Sequence, residues 1–146
     1  MTVHRGIAHR PRLPAIVLAD DTDSAAVRAL IADSGYDYLL DLDWTRVAPW
    51  WLLAILRDQP VGCIQMGASL PIGRLEYLCI SRRLGHADRA RTAYQLMHFG
   101  MAYLRQTGCS MVQGIVGAPY EGWVSRLVRR GGVVVVSGDM VARRLR

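Results

Sequence analysis

The sequence contains no lysine: its 18 Lys and Arg positions are all arginine, so no lysine side chain within the chain is open to modification. Cysteine is scarce and odd in number. Cys63, Cys79 and Cys109 lie inside apolar segments without CxxC-type spacing, which argues against a zinc cluster and for buried free thiols over a catalytic cysteine. The four histidines, His4, His9, His86 and His98, are scattered, so no metal site is expected. No apolar run approaches the ~18 residues of a membrane span. The basic opening MTVHRGIAHRPRLP has no apolar h-region after it and does not read as a secretory signal. Repeats, low-complexity tracts and interior linkers are also missing. The expectation is a cytoplasmic protein with a basic tail over 1–13 and a single domain over 14–146, long enough to bury a real core.

What is present is an uneven distribution of charge. The formal net charge is +6, yet Asp20, Asp21, Asp23, Asp33, Asp37, Asp41 and Asp43 cluster early. From Arg82 onward eleven arginines face only Asp88, Glu121 and Asp139. One side of the molecule is therefore expected to attract anions and another to tolerate cations.

Hydrophobic periodicity divides the chain into alternating elements. AIVLAD (15–20) reads as a strand. DTDSAAVRALIADSG reads as a helix with Asp21, Thr22 or Asp23 as N-cap, Ala26, Val27, Leu30 and Ile31 on one face, and Gly35 as its stop. YDYLLDLDWTRVAP is read as a short second helix ending before Pro49. WWLLAILRD and VGCIQMGAS, joined by a turn at DQP, predict an antiparallel hairpin, and RLEYLCI (74–80) a third strand. A long helix is predicted over Ala87–Thr107, with Ala90, Ala93, Tyr94, Met97, Met101 and Leu104 inward and Gly108 ending it. CSMVQGIV (strand), YEGWVSRLVRRGG (helix) and the hairpin VVVVSGDMVARRL complete the order. A meander of strands followed by strand–helix–strand predicts a mixed α/β (α+β) sheet with helices on both faces.

The stretch CISRRLGHADRARTAY places Arg82, Arg83, Arg89 and Arg91 around Gly85 at a strand-to-helix junction. Such a junction presents unpaired amides at the positive end of a helix dipole. Small residues let phosphate approach them and arginines bind it bidentately, so a pyrophosphate suits the loop. The same residues also fit a plain turn beside a solvated basic face.

Element order and loop together resemble the GNAT acyltransferase superfamily over residues 14–145. The family's loop motif [Q/R]xxGx[G/A] is matched by RRLGHA, with Arg82, Gly85 and Ala87 in the motif positions. VGCIQMG resembles its third strand, WVSRLVRRGG its fourth helix, and VVVVSGDMVARRL its closing hairpin. The resemblance implies a mostly antiparallel sheet of about seven strands. It also implies acetyl-CoA as co-substrate, held by Leu78, Ile80, Arg82, Arg83, Gly85, His86, Ala87, Asp88 and Arg89, and an amine of unknown identity as acceptor.

Transfer of an acyl group to an amine needs a base, an oxyanion site and a proton for the leaving thiolate. Glu76, the one carboxylate inside a predicted core strand, is the candidate base; strict alternation would put it on one face with Leu78 and Ile80 and Tyr77 on the other. It equally fits a strand-end carboxylate paired with Arg74. Backbone amides around Leu78 to Ile80 would serve the oxyanion. Active members of the family often carry a tyrosine near the end of the fourth helix; Leu127-Val128-Arg129 has none, which leaves Tyr120 as candidate acid. Asp33, Asp37, Asp41 and Asp43, with Tyr36, Tyr38 and Trp44, would suit a cationic amine, or simply solubilise the loop. The alternative is a catalytically degenerate GNAT-like module in a larger assembly such as a phage particle, with a protein partner or a second copy engaged through the basic tail. No helix-turn-helix, zinc or RNA-binding sheet motif accompanies the arginines, so nucleic acid is not the expected partner.

Overall fold

In the computed structural model of the chain, residues 12–36, 40, 50–115, 133–136 and 140–144 are described, those from 115 onward by their backbone alone. The predicted second helix (apart from Tyr36 and Leu40), the helix YEGWVSRLVRRGG and most of the basic tail lie outside these residues. Strand β1 (Ala15–Leu18) leads through a 3-10 turn (Asp21–Asp23) into helix α1 (Ser24–Asp33). Strands β2 (Trp51–Leu56), β3 (Gln59–Ser69) and β4 (Ile72–Ile80) follow, then helix α2 (His86–Gln106) and strands β5 (Met111–Ile115), β6 (Val133–Val136) and β7 (Met140–Arg144). They form one seven-stranded sheet in the order β1-β2-β3-β4-β5-β7-β6. Only β4 and β5 run parallel. The expected mixed, mostly antiparallel sheet is what the chain builds.

Each face of the sheet has its own apolar cluster. Leu52, Ala54, Ile64, Met66 and Leu75 meet Ala93, Leu96 and Leu104 of α2 on one side. Trp51, Leu53, Cys63 and Cys79 meet Val27, Leu30 and Ile31 of α1 on the other. Full burial of a side chain such as Leu96 or Leu104 contributes roughly 1.5–3 kcal/mol. The inward stripe of α2 differs from the expected one. Thr92, Ala93, Leu96, Gly100 and Leu104 are buried, whereas Tyr94 is 49% exposed. Small residues decide this, because they let helix and sheet approach closely. A methyl group on Gly100 would lie 2.7 Å from Leu75 Cδ2.

Both helices end as their glycines predict. In α1 the Tyr36 amide donates to Ile31 O and the Gly35 amide to Ala32 O, with Gly35 at φ +82°. In α2 the Cys109 amide donates to Leu104 O and the Gly108 amide to Arg105 O, with Gly108 at φ +97°. These are the paired bonds of a Schellman ending, each with its apolar contact. Asp23 is the N-cap of α1, one of the three expected candidates, without a side-chain cap bond; the 3-10 turn before it is capped by Asp20, whose carboxylate accepts from the Thr22 amide while its own amide donates to Asp23. One local expectation is corrected. The β2–β3 turn is Arg57-Asp58, both at positive φ, and Pro60 lies within β3. That is the backbone of a two-residue hairpin, here made without glycine.

Candidate functional site

The site grows from the far end of β4. Its parallel pairing with β5 runs from Ile72↔Met111 to Leu75↔Gly114 and stops there, while β4 continues to Ile80 beside β3. Among the described residues, Glu76 to Ile80 therefore have β3 on one side and no ladder with β5 on the other. A bulge sits in this half: Cys63 pairs with Cys79 and Gln65 with Glu76, so Ile64 alone spans Tyr77 and Leu78. Tyr77 takes φ 53°, the left-handed backbone that such an extra residue requires and that few non-glycine residues adopt.

The bulge changes which way the side chains face. Leu75 and its partner Met66 belong to the α2 cluster. Gln65 and Glu76, one residue along, therefore point to the α1 side. Tyr77 also packs with the α1 cluster, and Leu78 and Ile80 with the α2 cluster. Glu76 thus shares a face with Tyr77 and not with Leu78 and Ile80, contrary to strict alternation. It is half-buried, and among the described residues its carboxylate has no hydrogen bond or ion pair. Arg74 does not claim it; that guanidinium lies over Gly67, with Nε 3.5 Å from where a methyl group on Gly67 would sit.

Backbone direction follows from one bond. The Ser81 amide donates to Val61 O of β3 at 2.9 Å. In an antiparallel ladder alternate amides point the same way, so Cys79 also addresses β3 and the amide of Ile80 turns away from it; Leu78 lies in the bulge, where this alternation is interrupted. The side chains of Leu78 and Ile80 are packed under α2, which leaves the main chain as the part of these residues that a ligand would meet.

Residues 81–85 then carry the chain into α2. Gly85 is the N-cap, at φ −63° and ψ 160°, and no side chain caps the helix. Among the described residues the amides of Gly85, His86, Ala87 and Asp88 have no hydrogen-bond partner, and the first helical bond is Arg89 N to Gly85 O. Nothing lies within 4 Å of a methyl group placed on Gly85. The start of the 21-residue helix is open and uncapped, with its dipole unopposed by a cap. Arg82 and Arg83 are exposed and Arg89 half-buried, and among the described residues none of the three guanidinium groups has an ion pair. Arg91 is different: its Nη1 lies 2.9 Å from Asp88 Oδ1, which balances the one acidic side chain in the first turn.

The structure thus brings Glu76, Leu78 and Ile80 to the end of β4 and Arg82, Arg83, Gly85, His86, Ala87, Asp88 and Arg89 to the junction that follows. Tyr120, Asp37, Asp41, Asp43, Tyr38 and Trp44 lie outside the described residues. The Arg82 amide is engaged, donating to Asp33 Oδ2 at 3.0 Å. Asp33 is therefore tied to the loop. Tyr36 packs edge-on against Tyr77, centroids 5.5 Å apart. Sequence reasoning missed Tyr77 as a bulge residue and Ser81, whose Oγ accepts from the Arg83 amide at 3.3 Å. Trp51 is in the core and Trp50 on the rim, at 1% and 37% exposure. All three cysteines are buried and free. Cys63 and Cys79 face each other across β3 and β4; burial pushes the Cys63 thiol well up, and the hydrogen bond from Cys63 draws Cys79 down. Among the described residues no His, Cys, Asp or Glu group could hold a metal, and no helix is long and apolar enough to cross a membrane.

No family model matches the sequence, and no curated protein matches it. Solved structures do. An N-acetylglutamate synthase from Neisseria gonorrhoeae, crystallised with coenzyme A and N-acetyl-glutamate, is similar over 94% of this chain with TM-score 0.72 and 16% identity. The chain spans only 36% of that protein's length. Ard1 from Thermoplasma volcanium is similar over 92% of this chain and 99% of its own, with TM-score 0.72 and 17% identity. The PaiA N-acetyltransferase from Thermoplasma acidophilum, in complex with coenzyme A, covers 92% of this chain and 100% of its own, with TM-score 0.67 and 12% identity. The chain has the fold of GNAT acetyltransferases.

Proposed function

We propose that the chain is an acyl-CoA-dependent N-acetyltransferase that moves the acetyl group of acetyl-CoA onto an amine. The observation that carries this reading is the row of amides from Gly85 to Asp88 that have no partner and no side-chain cap among the described residues, flanked by Arg82, Arg83 and Arg89. A diphosphate fits it for three reasons. Successive amides at a helix start are anion donors, the space around Gly85 admits a phosphate, and guanidinium groups supply charge-assisted bonds. The likeness of fold to proteins crystallised with coenzyme A supports the same occupant.

In the proposed reaction the amine nitrogen attacks the thioester carbonyl carbon. The carbonyl oxygen takes the negative charge, and the amides of Ile80, turned away from β3, and of Leu78, in the bulge, are assigned to it. Glu76 takes the proton the amine loses, directly or through water. The C–S bond then breaks, and Tyr120 is assigned to return a proton to the sulfur. The acceptor is an amine presented from the α1 side, the face Glu76 shares with Tyr77 and Tyr36.

Titration calorimetry with acetyl-CoA and with CoA tests the reading. Submillimolar binding, followed by release of CoA thiol in the presence of an amine from a panel, is the expected result. Absence of binding at millimolar acetyl-CoA would overturn it.

A further inference from the structure

Asp33 sits where neither helix electrostatics nor anion binding would place a carboxylate. It is the last residue of α1, whose final turn has no basic residue, and a negative charge there opposes the helix dipole. It also lies beside the loop assigned to a diphosphate. A residue that breaks two local rules at once is a candidate for a compensating role. The geometry supplies one: Asp33 Oδ2 accepts from the Arg82 amide at 3.0 Å, across 49 residues of sequence.

We propose that Asp33 is a positioning residue for acyl-CoA, a latch that fixes the rim of the phosphate-binding loop against α1. The inference rests on the function proposed above. The Asp33 end of the latch is held firmly. The Schellman bonds at Gly35 and Tyr36 set the direction of the chain after Asp33, and Tyr36 is seated against Tyr77 in the β4 bulge. On the loop side, the Arg82 amide is turned toward α1, and the Arg83 amide reaches back to Ser81 Oγ. The amides of Gly85 to Asp88 are left for the ligand. Asp33 thus touches no reacting atom; it orders the turn that aims those amides, so that binding need not order it.

The test separates the hydrogen bond from the charge. Asp33→Asn keeps an acceptor oxygen and removes the negative charge; Asp33→Ala removes both. With the full chain, Asp33→Ala is expected to raise the Kd for CoA and the KM for acetyl-CoA about three- to tenfold, the worth of one such bond. The KM for acetyl-CoA should change more than kcat, the split expected of a residue that acts on cofactor binding. Asp33→Asn should bind CoA as tightly as the native chain or more tightly, because a carboxylate near the phosphates is gone. Hydrogen exchange of the 81–85 segment without ligand should quicken in Asp33→Ala and not in Asp33→Asn. Native-like CoA affinity and loop exchange in Asp33→Ala would overturn the latch while leaving the function standing. If the native chain binds no CoA, the function and the role assigned to the latch fall together.

Discussion

Replacing Gly62 by alanine probes what holds the helix start over the end of β4. Gly62 pairs with Ile80 in the β3–β4 ladder and lies under the second turn of α2. A methyl group there would stand 2.9 Å from Thr92 Cγ2, 3.0 Å from Ile80 Cδ1 and 3.1 Å from Cys79 O. The first two are side-chain atoms, but Thr92 and Ile80 are both buried and Cys79 O is main chain. The helix must therefore lift, and overpacking of this kind costs about 1–3 kcal/mol. With a urea m-value near 2 kcal/mol/M, the midpoint should fall by about 0.5–1.5 M. CoA affinity should fall as well, since the Gly85–Asp88 amides ride on the same helix. Thr92→Ser offers an internal control: it removes Cγ2 and keeps the hydroxyl that donates to Asp88 O at 2.8 Å. In a Gly62→Ala/Thr92→Ser double-mutant cycle, the pair should be more stable than the sum of the single changes by at least about 0.5 kcal/mol. Gly85→Ala makes the contrast, because its φ is ordinary and its surroundings are open; stability should stay within about 0.5 kcal/mol of native. A Gly62→Ala variant as stable as the native chain, or additivity with Thr92→Ser, would refute the argument that close approach at Gly62 sets the position of α2.

Arg83→Ala and Arg89→Ala should each weaken CoA binding about three- to tenfold, read by calorimetry, with the loss shrinking at high salt more for the exposed Arg83 than for the half-buried Arg89. Glu76→Gln should lower kcat by about 10²-fold or more while leaving CoA affinity nearly intact; unchanged turnover would remove Glu76 as base. Burial raises the folded-state ionisation of Cys63 above its ordinary value of 9.0, so the unfolded chain loses that proton first. The stability this gives is complete below pH 9 and is lost as pH rises beyond it. Cys79, drawn down by its bond from Cys63, has the opposite sign below pH 9, so urea midpoints should decline only above pH 9, and Cys63→Ala should flatten that decline.

How much of this was legible beforehand depends on whether a residue type marks its own geometry. Gly35 and Gly108 announced the ends of both helices, because the left-handed backbone at each has a chemical signature. The arginine-and-glycine run announced the junction where Gly85 caps α2, and two apolar runs around a short polar turn announced a central hairpin. The hairpin turn went unseen in detail because Arg57 and Asp58 reach positive φ without glycine. The stripe of α2 was misjudged because Thr92 and Gly100 count as weakly apolar in a periodicity reading, although their smallness is what buries them.

The β4 bulge is the deepest case, since it decides the chemistry of the site. A period-two reading assumes one residue of β4 for each of β3, and nothing in LEYLCI signals the extra one. Its left-handed residue is Tyr77, a type that gives no local hint; its ring packs on Tyr36 across the fold, and its carbonyl accepts locally from Cys79 Sγ at 3.2 Å. Tyr36 in turn is placed by the glycine ending of α1. The bulge that parts Glu76 from the face of Leu78 and Ile80 thus packs against a helix terminus some forty residues earlier in the chain, a contact that pattern reading along a single strand has no means to contain. The same terminus carries Asp33 to the Arg82 amide. One helix end therefore touches both the bulge beside the candidate base and the rim of the turn that would hold the diphosphate.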